Sequence, residues 1–176
     1  MKKNKMKRGM LLIILLVSGF SLFGQDHDSI PQPAFSFSIG TKVTIQLVPV
    51  DSDHFNYRII KFEAYHEDID LDNDIKLLSD TIANDMIEFV FSYGKYGKDE
   101  NGKEKDLRIV LEIKSGLKSI IEYKADIQVG DKDFEPTSVV ELIPNVKTRE
   151  YWPYQIDMIA LHSFQISKLN SYHKNE

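Results

Sequence analysis

The stretch that decides the fold is residues 86–128, which reads MIEFVFSYGKYGKDENGKEKDLRIVLEIKSGLKSIIEYKADIQ. Apolar side chains take every second place in three runs that start at Ile87, Leu107 and Ile121, and polar or charged residues fill many of the places between them. A period of two is typical of strands with one buried face. The stretch therefore predicts three antiparallel strands in a meander, with a second turn at residues 114–118 and the charged face in water.

Similar alternation extends to both sides of this stretch. It is found in residues 35–47 and 57–62, and residues 139–143 also favour a strand. Residues 156–166 fit either period, but their β-branched content favours a strand over a helix. One short helix is expected within residues 75–84. The predicted fold class is all-β and mainly antiparallel, a β-sandwich of seven or eight strands with an immunoglobulin-like or jelly-roll topology.

The N-terminus has the order of charges and apolar residues that is typical of a signal peptide. Five basic residues lie within positions 2–8, an apolar run covers positions 10–17, and small residues follow. We expect a cleavable signal peptide at residues 1–24, with a cut after Ser21 as the alternative to a cut after Gly24. The run is short for a transmembrane anchor, so we predict no membrane insertion after cleavage. The protein is then exported, to the periplasm or to the medium.

The remaining chain divides into three parts by composition. Residues 25–33 contain two prolines and no periodic pattern, which predicts a disordered leader. Residues 34–169 form a single β-sandwich domain in this interpretation, and residues 170–176 form a polar C-terminal tail. No internal repeat or second domain boundary is visible.

Charge and cysteine content exclude some classes of function. Without its first 24 residues the chain keeps 17 of its 22 Lys and Arg against 27 Asp and Glu, a net charge of −10. Nucleic acid is therefore not an expected partner. Because the chain has no cysteine, its stability comes from packing or from a metal rather than from disulfides.

An acidic run at residues 67–74 provides the candidate metal ligands. Carboxylates at alternate positions could supply several of the oxygens that calcium needs. These candidates are Asp68, Asp70, Asp72 and Asp74. The run lacks the glycine and glutamate spacing of an EF-hand loop, so a solvated acidic loop is the favoured interpretation. We predict no cofactor, with calcium as the alternative.

Two aromatic groups provide the candidate ligand-binding residues. Tyr93 and Tyr96 flank a glycine in the long loop before residue 107, and Tyr151, Trp152 and Tyr154 surround a proline near the C-terminus. Such rings can stack on sugar faces. The favoured alternative for Trp152 is a place at the end of the core.

No catalytic residue is predicted. The chain lacks a Gly-x-Ser-x-Gly elbow, and the Ser115–Lys118 pair falls in an expected turn instead of a helix. Histidine spacing does not fit a zinc site, and the pair Asp53–His54 places a carboxylate near an imidazole without a nucleophile.

The sequence favours a non-enzymatic binding or cell-envelope interaction module with a protein or glycan partner. One alternative is a secreted hydrolase that uses scattered carboxylates, which two inward-facing carboxylates across one concave surface would favour. The other is a calcium-stabilised structural module.

Overall fold

A computed structural model describes residues 30–72, 77–97 and 107–168, and these residues form ten strands. The strands are β1 (Ala34–Ser38), β2 (Thr41–Pro49), β3 (His54–Ala64), β4 (Ile69–Asp70), β5 (Met86–Lys95), β6 (Leu107–Ser115), β7 (Ile121–Gln128), β8 (Glu135–Thr137), β9 (Lys147–Trp152) and β10 (Met158–Ile166). The all-β, mainly antiparallel class is confirmed, with ten strands rather than seven or eight. The predicted signal peptide and C-terminal tail lie outside the described residues, as does part of the leader.

The strands lie in one curled sheet. Its order is β8-β7-β10-β3-β2-β5-β6-β9, while β1 pairs with β10 and β4 runs parallel to β5. Immunoglobulin-like sandwiches have two sheets, whereas this sheet is one hydrogen-bonded path. Its halves face each other across the core, where Phe37 of β1 meets Phe91 of β5 edge-on with ring centroids 5.9 Å apart.

The predicted meander is correct in its first half and wrong in its second. β5 and β6 form an antiparallel pair, but β9 occupies the other edge of β6, and β7 pairs with β10 and β8. Residues 116–120 cross between the halves because Leu117 enters the core, where it is 7% exposed. Gly116 lies so close to the backbone of residues 82–83 that a Cβ on Gly116 would be 2.1 Å from the carbonyl oxygen of Ala83.

The sequence predicted that the charged face of β5 and β6 lies in water, but this second face is buried. Glu112 is fully buried, and Val90 and Val110 belong to a second apolar cluster with Ile69 and Leu78. The cover is the crossing segment, by which we mean the described residues 65–72 and 77–85. The sheet is therefore buried on both faces at this point.

Charged side chains hold the crossing segment to the sheet. Lys114 Nζ donates to the backbone carbonyls of Ser79 and Asp80, each at 2.6 Å, and Lys42 Nζ donates to the carbonyl of Leu77 at 2.9 Å. The Glu88 carboxylate accepts the N–H and the hydroxyl of Ser79 at 2.7 and 2.6 Å. These bonds use backbone groups that a helix would need. The short helix expected within residues 75–84 is absent from the described part, residues 77–84, which consists of turns and bends.

Two further expectations concern the C-terminal part. Residues 139–143 contribute an isolated bridge between Leu142 and Ile121 instead of the predicted strand. Residues 156–166 contain a strand, β10, as favoured over a helix. β10 contacts β1, β3 and β7, so the last strand lies inside the sheet.

In the predicted leader, Gln32 forms an isolated bridge with Tyr57.

Candidate functional site

A cleft of about 630 Å³ lies where β3, β7 and β10 meet the segment that follows β8. Its charged and polar lining comes from the turn before β3, from strands β3, β7 and β10, and from residue 141: Asp51, His54, Asn56, Glu122, Lys124, Glu141, Ser163 and Gln165. Its apolar lining is Pro33, Val50, Phe55, Val139, Val140 and Phe164, with Tyr123 between them. Concave surfaces of this size and mixed lining are the usual places for ligands.

A β-bulge in β10 shapes one wall of the cleft. The register with β7 shifts between His162 and Gln165, and Ser163 there has a φ of 57°, in the left-handed region. Bulges bend a strand and redirect its side chains. Ser163 is exposed in the cleft, and its hydroxyl oxygen lies 2.9 Å from His162 Nδ1. His162 Nε2 is 3.3 Å from Asp126 Oδ2, which is ion-pair range without hydrogen-bond geometry.

Asp51 and His54 form the rim at the β2–β3 turn. Asp51 Oδ1 accepts the backbone N–H groups of Asp53 and His54 at 2.8 Å each, and it lies 2.9 Å from His54 Nδ1. The N–H of Asp53, followed by the bonds from His54, lowers the pKa of Asp51 to about 2. The sequence suggested Asp53 as the carboxylate beside His54, but Asp51 has this position because the turn folds it back.

Two glutamates form the opposite wall. Glu122 accepts bonds from Gln165 Nε2 at 3.0 Å and from Ser167 Oγ at 2.8 Å, and Glu141 Oε1 is 2.6 Å from the same hydroxyl oxygen. The bond from Gln165, followed by that from Ser167, lowers the pKa of Glu122. The two carboxylate oxygens at Ser167 are at most 5.4 Å apart, the sum of the two contacts.

The floor of the cleft includes Tyr123, whose ring stacks on Phe164 with centroids 5.8 Å apart. Tyr123 is 7% exposed, and its buried hydroxyl has no hydrogen-bond partner in the described structure. Burial raises the pKa of Tyr123, and the charge of Glu150 acts in the same direction. The floor is thus an aromatic surface with a buried, unpartnered hydroxyl.

The acidic run lies away from this cleft. Asp68 pairs with Lys95 Nζ at 2.6 Å, Asp70 Oδ1 accepts the N–H of Asp72 at 3.0 Å, and Asp72 accepts the N–H of Gly97. Among the residues that the structure describes, no three metal-binding side chains converge. Asp74 lies outside those residues.

The aromatic candidates do not come together in the cleft. Trp152 is 4% exposed and packs edge-on against Phe91, with centroids 6.4 Å apart, so the structure places it in the core. Tyr151 and Tyr154 are exposed, and Tyr93 is half-buried against the core. Tyr96 lines a separate pocket of about 220 Å³ with Asp68 and Asp70.

Apart from His54, which the sequence analysis considered beside Asp53 and set aside, the residues that line the cleft were not among the sequence candidates. They come from five separate segments that no local sequence pattern connects. The register shift in β10 and the path of residues 138–142 bring them together, and neither of these features has a recognisable sequence motif. A histidine close to several carboxylates, as in residues 51–54, is the one local signal.

Comparison with known proteins does not supply a family. No family model, no curated protein and no solved structure matches the chain. Within residues 30–72, 77–97 and 107–168, no helix is long and apolar enough to cross a membrane.

Proposed function

We propose that the protein is an exported, non-enzymatic binding module, and that the cleft between the β2–β3 turn and residues 139–141 receives its partner. The observation that carries this proposal is the cleft itself, which combines an apolar rim with hydrogen-bonding groups on a rigid sheet. Val50 and Val140 on this rim are 60% and 45% exposed. Exposed apolar side chains beside polar ones are typical of recognition surfaces.

A protein segment suits this lining better than a glycan does. Sugar binding relies on exposed aromatic faces, and the aromatic lining of the cleft is Phe55, Tyr123 and Phe164, of which Tyr123 and Phe164 are buried. Phe55 is half-buried. Apolar side chains of a partner would contact Val50 and Val140, while Gln165 and Lys124 offer hydrogen bonds. Three carboxylates against one lysine make a nucleic acid an unsuitable partner.

The test is a partner screen with displayed peptides and a glycan array, followed by substitution. We expect Val140→Asp to weaken binding of the selected ligand by tenfold or more. The substitution replaces an apolar contact with a charged group and gives the cleft a fourth carboxylate. The matched control is Val146→Asp, since Val146 is also about 44% exposed but does not line the cleft. Equal binding by both variants would place the partner elsewhere.

The second candidate function is hydrolysis, favoured by Glu122 and Glu141. Two carboxylates line one concave surface, and their closest oxygens are within 5.4 Å of each other through Ser167. Glycoside hydrolysis commonly uses two carboxyl groups that flank the bond to be cleaved. A panel of polysaccharide substrates, with Glu122→Gln as the inactive control, tests this candidate. Hydrolysis that Glu122→Gln abolishes would replace the binding proposal.

A further inference from the structure

The buried hydroxyl of Ser167 lies between two carboxylates. Ser167 is 1% exposed, and its Oγ is 2.8 Å from Glu122 Oε1 and 2.6 Å from Glu141 Oε1. A hydroxyl carries one hydrogen and donates it to one acceptor. Two ionised carboxylates therefore cannot both be satisfied by this hydroxyl. The second contact requires a hydrogen on one of the carboxyl groups.

The surrounding bonds show which carboxylate is ionised. Glu122 accepts bonds from Gln165 Nε2, from Ser167 and from the backbone N–H of Lys168, and these bonds favour a negative charge. Glu141 is also hydrogen-bonded to Glu122. Two carboxyl groups bond to each other when one of them carries a proton.

We propose that Glu122 and Glu141 share one proton, held on the Glu141 side, and that its loss as the pH rises loosens the 139–141 wall of the cleft. The sharing requires no ligand. Its effect on binding rests on the proposed function, because that function makes the wall part of the site.

The shared proton secures the wall at one of three points. Val140 N–H donates to the Glu150 carboxylate, and Leu142 exchanges two backbone bonds with Ile121 at 2.8 and 3.1 Å. Glu141 lies between these two points. Ionisation of the pair places two negative charges around one hydroxyl, and their repulsion drives Glu141 into the solvent. Val140 then has one adjacent attachment of the wall fewer, because Glu141, the next residue in the chain, is no longer held to the sheet.

Other charged groups face the pair. Lys124 projects from β7 beside Glu122, Asp51 and His54 lie across the cleft, and Lys168 follows β10. Glu150 on β9 lies behind the wall. Because several charged groups face the pair, the effect must be assigned by substituting Glu141 itself.

The sign of the pH effect follows from proton binding. The folded pair holds one more proton than two separate glutamates do at weakly acidic pH, so this stabilisation is present at low pH and is lost as the pH rises through the folded transition. Glu141→Gln removes this dependence because a neutral amide can donate to Glu122 at any pH. Glu122→Gln should be worse tolerated, since Glu122 is an acceptor of three bonds.

The experiment is a ¹³C carboxyl NMR titration of the ligand-free protein together with Tm measured against pH. In the wild type we expect the carboxyl signals of Glu122 and Glu141 to change together in two coupled steps. As the pH rises through the upper of these steps, Tm of the wild type should fall by about 2–4 °C relative to Glu141→Gln. Glu135→Gln is the control, because Glu135 is exposed on β8, and it should follow the wild type.

Independent one-step titrations of Glu122 and Glu141 in the wild type would overturn the proposal, and so would parallel Tm curves for the wild type and Glu141→Gln. If Glu141→Gln does not fold, the wild-type titration alone decides. Because neither measurement uses a ligand, their failure leaves the proposed function standing, and a failed partner screen leaves the proton sharing standing.

Discussion

The indole N–H of Trp152 on β9 donates a hydrogen bond to the hydroxyl of Thr137 on β8 at 3.1 Å, although these strands are the two ends of the sheet order. The ends of the curled sheet thus meet through side chains. A second contact is close by, where the N–H of Val140 reaches the carboxylate of Glu150 on β9. Trp152 therefore has two roles, filling the core and joining the sheet ends.

Replacement of Trp152 by Ala should lower the free energy of unfolding by about 3–5 kcal/mol, because it leaves a large cavity. Tyr151→Ala is the control: Tyr151 is 46% exposed, and its loss should change stability by about 0.5 kcal/mol or less. Urea unfolding measures both, and the wild-type tryptophan emission should be blue-shifted and poorly quenched by iodide. Red-shifted, readily quenched emission would contradict a core position.

Arg149→Met should destabilise the protein by about 3–5 kcal/mol, because Glu112 is fully buried and Arg149 is its partner, with Lys147 at 3.3 Å. The double variant Glu112→Leu with Arg149→Met should recover most of this loss, since it removes the buried charge as well. A double-mutant cycle in urea measures the coupling. Additive losses would show that the two side chains do not depend on each other.

Lys114→Met should release the crossing segment without unfolding the sheet, because Lys114 Nζ bonds to two of its carbonyls. We expect amide hydrogen exchange to rise in residues 77–85 and to stay unchanged in β7 and β10. Lys61→Met serves as the control, since Lys61 is 61% exposed and pairs with Glu63 on its own strand. Unchanged exchange in residues 77–85 would mean that the apolar cluster holds the segment alone.

Asp51 should titrate at about 2 in the folded protein, below its ordinary value of 3.8. A lowered folded pKa gives stability that is present above the unfolded value and is lost as the pH falls through the folded value. Asp51→Asn should therefore reduce the loss of Tm between about pH 4 and pH 2. Carboxyl NMR of Asp51 and acid melts of both proteins make the test. A midpoint near 3.8 would contradict the turn geometry.

Millimolar calcium should change Tm by less than about 2 °C, because occupancy sets the stabilisation and Asp68 and Asp72 already have protein partners. Differential scanning fluorimetry with calcium, and with magnesium as the control, measures this. A rise of many degrees that Asp70→Asn with Asp72→Asn abolishes would restore the calcium-stabilised module.

The sequence predicted where the strands lie in the chain better than it predicted which strands pair with each other. Alternation identified β5, β6 and β7, because each has an apolar inner face. It did not show that β6 pairs with β9, since pairing depends on Leu117 entering the core instead of staying in a turn. Glu112 looked like a surface residue because its cover, the crossing segment, is 27 or more residues earlier in the chain.

The candidate site was less accessible to sequence reasoning. Glu122 alternates with apolar residues like any exposed strand glutamate, and Glu141 lies in a segment that the sequence assigned to a strand. Ser167, which lies between them, has no distinguishing neighbour in the sequence. Their meeting depends on the bulge at Ser163 and on the Leu142–Ile121 bridge.

The central position of β10 has a consequence for the order of events during folding. β10 is made last, and it pairs with β1 in a register that joins Phe37 to Ile159 and with β7 and β3 as well. A growing chain therefore leaves β1 without a partner, and β3 and β7 each with one unpaired edge, until residues 158–166 emerge. Such long sequence separation slows folding, because the loop must close before the contacts form. A chain that ends before residue 158 should remain a substrate for proteases, whereas a chain that includes β10 can finish its sheet in a single late step.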